Sequence, residues 1–308
     1  MPTFDWDIAP TIFKYPEWLS FLPGDGLRYY SLLYVMVFLG GFHLFSWQLR
    51  RAGGTEEEAS DFVLYGVIAT LAGSRMGHVF FYDFDKFKED PMWLFRIWEG
   101  GLASHGGMIG VTLAMVLFAK VKRQSFFEAS DRFAFSCALA TMLIRLGNFF
   151  NSEIVGRKTD QSWGVRFIRV DGPAGDLRHP SQLYEFALGC FVMLSLYLAD
   201  KAWGKEKRPR GAMISLFFAV YFTGRFLVEY VKDFQTLQSD SALTMGQWLS
   251  IIPAAVGYIG LAIAFKKRIP ARWNVYAAPT DDDLDKELAE DDGDDDVDSV
   301  LAEKPSKA

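Results

Sequence analysis

Residues 212–230 read AMISLFFAVYFTGRFLVEY, an almost unbroken apolar run with Arg225 and Glu229 near its far end. As a helix, a run of this length nearly crosses the ~30 Å hydrocarbon layer of a bilayer. Similar runs recur at roughly Tyr29–Gln48, Phe62–Tyr82, His105–Lys120, Arg132–Phe150, Ser181–Ala199 and Gln247–Phe265. The third of these is short and is expected to begin a little earlier. Seven such runs with short connectors do not fit one soluble core. The expected fold is therefore an all-α polytopic membrane protein of about seven transmembrane helices. The 308 residues then divide into an extracytoplasmic or interfacial segment, 1–28, a membrane catalytic domain, 29–268, and an acidic tail, 269–308.

The charge is unevenly placed. The whole chain carries a formal net charge of −6, but residues 280–308 alone hold 13 acids against three lysines, and without them the net charge is about +4. The tail is expected to be disordered and cytoplasmic by composition, with no catalytic part. No basic stripe is present, so a nucleic-acid reader is excluded. Two cysteines, Cys137 and Cys190, give neither a disulfide framework nor a C-x-x-C pair. Both lie in apolar runs, which suits small buried residues and leaves the protein without a thiol nucleophile of its own. The first 27 residues show no basic start followed by an apolar run, so no signal peptide is expected. Their Trp6, Phe13, Trp18 and Phe21 suit a membrane interface.

Connectors set the orientation. The first, third and fifth, and the segment after the seventh run, are short and basic, with Arg50 and Arg51; Lys120, Lys122 and Arg123; Lys201, Lys205, Lys207, Arg208 and Arg210; Lys266, Lys267 and Arg268. The positive-inside rule places them in the cytoplasm, with the N-terminus outside and the C-terminus inside. The 150–180 connector then forms an extracytoplasmic head, where Trp163–Val170 is β-prone and Asp171-Gly172-Pro173 reads as a turn.

A charge at mid-membrane costs at least ~2.5–3.5 kcal/mol on insertion scales, so ionisable groups inside the runs are functional candidates. Arg75, His78 and Tyr82 share one helical face; so do Arg145, Asn148 and Ser152, and so do Tyr221, Arg225 and Glu229. Arg75, Arg145 and Arg225 fall late in outward-running helices, while Tyr30, His105, Gln182 and Gln247 fall early in inward-running ones. All converge in the outer half of the membrane. Guanidinium forks match phosphate oxygens, and the available anion at that depth is a phospholipid headgroup. Glu229, one turn from Arg225, is expected to orient it. His105 opens the third run within the glycine-rich stretch 100–110. A helix N-terminus suits an anion, and an imidazole there suits a general base. Asp61 and Asp131, near two helix starts, read as caps.

At this point the residues resemble a known family. The stretches 101–110 (GLASHGGMIG), 144–157 (IRLGNFFNSEIVGR), 178–185 (RHPSQLYE), 224–229 (GRFLVE) and 245–250 (MGQWLS) look like motifs of prolipoprotein diacylglyceryl transferase, in family order from about Tyr29 to Phe265. The resemblance implies a multi-pass enzyme of the bacterial plasma membrane. It would move the diacylglyceryl group of phosphatidylglycerol onto the lipobox cysteine of an exported prolipoprotein, forming a thioether and releasing glycerol 1-phosphate. The implied partners are phosphatidylglycerol, the prolipoprotein signal peptide with its lipobox cysteine, and the bilayer. By resemblance, Arg145 is the phosphatidylglycerol-binding arginine, Arg225 a second essential arginine and His105 the proposed base. Tyr30, Asn148, Asn151, Glu153 and Gly156 fall on further site positions. Two features depart from the family pattern: a short 157–178 connector, implying a reduced head, and the acidic tail.

The expected chemistry is displacement at the glycerol carbon bearing the phosphate ester. Arg145 and Arg225, with Arg75 and Glu229 beside them, would bind the substrate, and a base would help generate the thiolate. No cofactor is implied, and no His/Asp/Glu cluster at metal-ligand spacing occurs in the runs. Two alternatives stay open: a lipid or anion transporter, and another phospholipid-headgroup transferase. The first should show internal repeats, and a metal-dependent member of the second should show paired Asp motifs.

Overall fold

A computed structural model describes residues 4–19, 25–233 and 242–273. The tail from residue 274 onward, and Phe21 of the N-terminal segment, lie outside the described residues. The chain is mostly helical. Its helices are α1 (Tyr29–Arg51), α2 (Glu56–Tyr82), α3 (Phe84–Glu89), α4 (Ser104–Val121), α5 (Phe126–Asn151), α6 (Ile168–Asp171), α7 (Ser181–Ala202), α8 (Ala212–Val228) and α9 (Met245–Lys267). Five of them are long and apolar enough to cross a membrane: α1, α5, α7, α9, and α8 with its extension to Val231. The apolar part of α4, His105–Val121, is shorter. Outward-facing Leu39, Ile68, Phe191 and Ile252 remain exposed, as expected of side chains that meet lipid rather than water.

Two helices start earlier than hydropathy predicts. At α2, Thr55 accepts from the Glu58 N–H while Glu58 returns a bond to the Thr55 N–H, so a capping box nucleates the helix six residues before the apolar run. Asp61 therefore lies inside α2, where it pairs with Lys122 at 2.6 Å, and is not a cap. Helix α5 starts at Phe126, so Asp131 is also internal. It caps a different helix: its carboxylate accepts the N–H groups of Gly211 and Ile214 at the start of α8.

Helix pairs α2–α4, α8–α9, α1–α5 and α5–α7 form the main packing interfaces. The first is a glycine seam. A Cβ on Gly73 would sit 2.4 Å from the Gly106 carbonyl oxygen, and one on Gly106 would sit 2.0 Å from the Gly73 carbonyl oxygen, so neither position admits a side chain. Close approach of the two backbones places the start of α4 beside the last turns of α2.

At the connector-rich end used by Arg51, the expected orientation signals double as structure. Arg51 holds Asp200 at 2.8 Å and Glu206 at 2.7 Å, while fully buried Arg132 holds Glu128 at 2.6 Å and also grips Glu206. Burial pushes the Glu206 carboxyl up, but Arg132 and Arg51 outweigh it and bring it down to about 2. This network ties the end of α1 and the start of α5 to the α7–α8 connector.

The opposite end carries a small β unit. Strand β1 (Phe4–Trp6) pairs in parallel with β4 (Val165–Phe167), and β2 (Thr11–Lys14) pairs antiparallel with β3 (Gly26–Arg28). The N-terminal segment is thus part of the head. Trp6, expected at a membrane interface, is instead buried against Phe149, Val165 and Phe167 and donates its indole N–H to the Phe149 carbonyl at 3.0 Å. The β-prone stretch 163–170 is strand only over Val165–Phe167 and then turns helical through Asp171. Arg178 locks that turn, holding both Asp171 oxygens at 2.5 and 2.9 Å and Asp233 at 2.9 Å. Hydrogen bonding from Arg178 keeps the Asp171 carboxyl below the usual carboxylate range. A depressed carboxylate stabilises the fold above its unfolded pKa, and that contribution is lost as pH falls through the folded value. Asp171→Asn should therefore cost about 1.5–3 kcal/mol at pH 7. The difference from the parent should vanish in strongly acid solution. Thermal unfolding in detergent at the two pH values measures both.

Candidate active site

The head-side ends of α5, α7 and α8 bring charged side chains together around one carboxylate. Glu185, on the second turn of α7, is 1% exposed. Its Oε2 lies 3.0 Å from Nε of Arg145, on the penultimate turn of α5. Its Oε1 accepts from Arg225, on the last turn of α8, at 3.2 Å. Lys232, also buried, lies 3.7 Å from the same oxygen and 3.0 Å from Glu229. Around buried Glu185 stand Arg145, Arg225 and Lys232, with Glu229 on Lys232, a formal excess of one positive charge among these five. That excess matches one phosphodiester. The side chains of Arg145 and Arg225 keep 15% and 20% exposure, so each fork retains an open edge.

Around Arg145 the expected polar residues gather. Arg145 donates to the Asn148 side-chain oxygen at 3.2 Å, and Asn148 and Asn151 donate to Glu153 at 3.1 and 3.2 Å. Ser152 takes a left-handed conformation that ends α5 and folds Glu153 back under the helix. Tyr30, at the start of α1, packs on Gly147, where a Cβ would come within 2.6 Å of its ring. Gln182 donates to the Glu153 carbonyl at 2.6 Å, and Gln247 caps the start of α9 through Thr244.

Three expected positions do other work. Glu229 does not orient Arg225: the chain tightens into a 3-10 turn at Glu229–Val231, and its carboxylate pairs with Lys232 and packs on Gly246. Arg75 is not brought to the cluster. It is 2% exposed and donates to the carbonyls of Trp93, Leu94, Gly100 and Gly101, with its guanidinium 4.2 Å from the Trp93 ring centre. Its donors are spent on the loop before α4, which leaves none aimed at a phosphate beside Glu185. Gly156 lies in the head, its N–H donating to the His179 carbonyl at 3.0 Å and its carbonyl accepting from Arg178. A Cβ there would meet that His179 oxygen at 2.4 Å, so glycine is a packing requirement at this position.

His105 stands exposed at the first turn of α4 and lines a groove of about 460 Å³ with His78, Tyr82, Asp83, Leu102 and Ala103. No hydrogen bond or ion pair joins it to the arginine cluster among the described residues.

Residues 17–263 match the family model described as prolipoprotein diacylglyceryl transferase. The chain belongs to this family. Among its relatives, the phosphatidylglycerol–prolipoprotein diacylglyceryl transferase of Vibrio cholerae serotype O1 is 39% identical over 245 residues, 78% of this chain and 88% of the relative. The enzyme of that name from Aeromonas hydrophila is 39% identical over 252 residues, 78% and 87% of the two chains. That from Chloroherpeton thalassium is 36% identical over 267 residues, 85% and 93% of the two. As a diacylglyceryl transferase family member, the chain places three separate motif stretches, 144–157, 178–185 and 224–229, around Glu185. Neither Glu185 nor Lys232 is among the site residues that the sequence points to. The signal for Glu185 was available, because an acid inside an apolar run needs a partner. Lys232 lies past the apolar run, where a lysine is unremarked.

Proposed function

We propose that this protein transfers the diacylglyceryl group of phosphatidylglycerol to the lipobox cysteine of an exported prolipoprotein, the first step of bacterial lipoprotein maturation. It sits in the inner membrane as a bundle of about seven spans, the five long apolar helices plus α2 and α4. The N-terminus, the head and the arginine cluster face outward, and the C-terminus faces the cytoplasm. The observation that carries this reading is the pair of guanidinium groups, from α5 and α8, set on one buried carboxylate with an open edge each.

In the reaction the cysteine sulfur attacks the glycerol carbon that carries the phosphate ester. The carbon–sulfur bond forms as the carbon–oxygen bond breaks. The electron pair leaves on glycerol 1-phosphate. Arg145 and Arg225 hold the phosphate and stabilise the charge that grows on the departing oxygen. Glu185 holds both forks in place. The thiol enters the groove where His105 stands at the start of α4, and a base there takes its proton, since thiolate is the reactive form. Asn148, Asn151, Glu153 and Tyr30 line the approach to Arg145.

The test is incubation of the purified protein with phosphatidylglycerol and a lipobox peptide, read by mass spectrometry. A mass gain on the peptide cysteine equal to one diacylglyceryl group is the expected result. No gain, with a known transferase active in parallel, refutes the reading and favours a lipid transporter.

A further inference from the structure

The groove beside His105 contains a second imidazole that, unlike His105, is held. His78, on the last turns of α2, has Nε2 3.0 Å from Asp83 Oδ2. Its ring stacks on Tyr82 with centroids 5.6 Å apart. Gly101, at φ +76°, comes close to the same ring; a Cβ there would lie 2.5 Å from His78 Cδ2 and 2.6 Å from Nε2. Glycine at 101 thus lets the loop before α4 approach the imidazole more closely than a side chain would allow. The side chains of His78 and Asp83 keep 23% and 28% exposure, so the pair is packed yet reachable.

The charged and titratable groups around His78 are few. On its own helix, Arg75 spends its donors on loop carbonyls, and Tyr82 is the stacking partner. From α3, Lys86 reaches the same Asp83 oxygen at 3.2 Å. From α4, His105 shares the groove. Hydrogen bonds from Lys86 and then His78 hold the Asp83 carboxyl below the usual carboxylate range, so it stays an ionised acceptor. With an anion at Nε2, that nitrogen carries the hydrogen and Nδ1 is left with a lone pair. A base oriented by a carboxylate is the arrangement that activates weak nucleophiles in many unrelated enzymes. Among the described residues His105 has no hydrogen bond to set its tautomer.

We infer that the proton acceptor of this groove is the His78–Asp83 pair. His78 takes the proton of the incoming thiol at Nδ1, leaving the electron pair on sulfur. Asp83 is a positioning residue that holds the ring and stabilises the imidazolium, and His105 places the thiol. The inference rests on the transfer reading above and adds the identity of the base.

The experiment is the pH–rate profile of diacylglyceryl transfer, with phosphatidylglycerol vesicles and a lipobox peptide, for the parent protein, His78→Gln, Asp83→Asn and His105→Gln. His78→Gln should lower kcat by about 10²-fold or more and abolish the acidic limb. Asp83→Asn, which preserves shape, should retain a limb but move it to lower pH, because the anion that stabilises the protonated ring is gone. His105→Gln should lose rate but keep the limb where it was. A wild-type profile for His78→Gln, or an unmoved limb for Asp83→Asn, overturns the inference, as does a limb that vanishes only in His105→Gln. If His78→Gln fails to fold, the Asp83→Asn limb decides alone. A parent protein with no transfer at all refutes the transfer reading instead, so the two failures are separable.

Discussion

Replacing Arg145 with Ala should lower kcat/KM for diacylglyceryl transfer by about 10²–10³-fold, the cost of one preorganised donor aimed at developing charge. The fold should survive, because Glu185 keeps Arg225 and Lys232 as partners after Arg145 is gone. A detergent melting curve on the same preparation checks that point. Arg145→Lys should recover only part of the loss. The guanidinium uses Nε on Glu185 and one terminal nitrogen on Asn148, also meets the Tyr221 hydroxyl, and stays 15% exposed for phosphate. An ammonium is a single point of charge and cannot serve all these directions at once. Full activity in Arg145→Ala would show that the phosphate lies elsewhere.

Glu185→Gln should have an effect of a different kind. The cluster around Glu185 would go from one excess positive charge to two, since Arg145, Arg225 and Lys232 would then face Glu229 alone. Anion binding should strengthen, so KM for phosphatidylglycerol should hold or fall and inhibition by glycerol phosphate should tighten. The forks, however, lose the carboxylate that aims them, and kcat should fall by about 10–100-fold as orientation is lost. Removing one partner from a buried ion cluster also costs about 3–5 kcal/mol of stability. Steady-state kinetics with added glycerol phosphate separates these effects. A rise in KM together with weaker inhibition would mean that Glu185 contacts substrate directly and does not act through the arginines.

Much of this was legible before any coordinates. Arg145, Asn148 and Asn151 are expected close together late in one helix, and the structure sets them there with Glu153 closing the group. Arg225 is expected near Arg145, and both reach the same carboxylate. The failures are just as specific. Helical spacing places Glu229 one turn from Arg225, but spacing holds only while the helix stays α, and here it tightens to a 3-10 turn. Arg75 is read as a phosphate ligand because a buried arginine demands acceptors; four loop carbonyls supply them, and a loop path of that kind leaves no trace in periodicity. Trp6 is read as an interfacial anchor because aromatic residues favour that layer, yet β1 pairs with a strand some 160 residues away and buries the ring.

Residue order alone was enough to read a polytopic membrane protein, its long apolar helices and the family whose motifs it carries. Run length against bilayer thickness and local residue order are properties of the chain taken one stretch at a time. Which acid serves which base follows from the packing of the helices. Glu185 lies 40 residues from Arg225, on another helix, and its choice of partners follows from how α5, α7 and α8 pack. Pairing in a medium of low dielectric is worth most at contact distance, and contact between helices is set by the small residues that let their backbones close, as at Gly73 and Gly106.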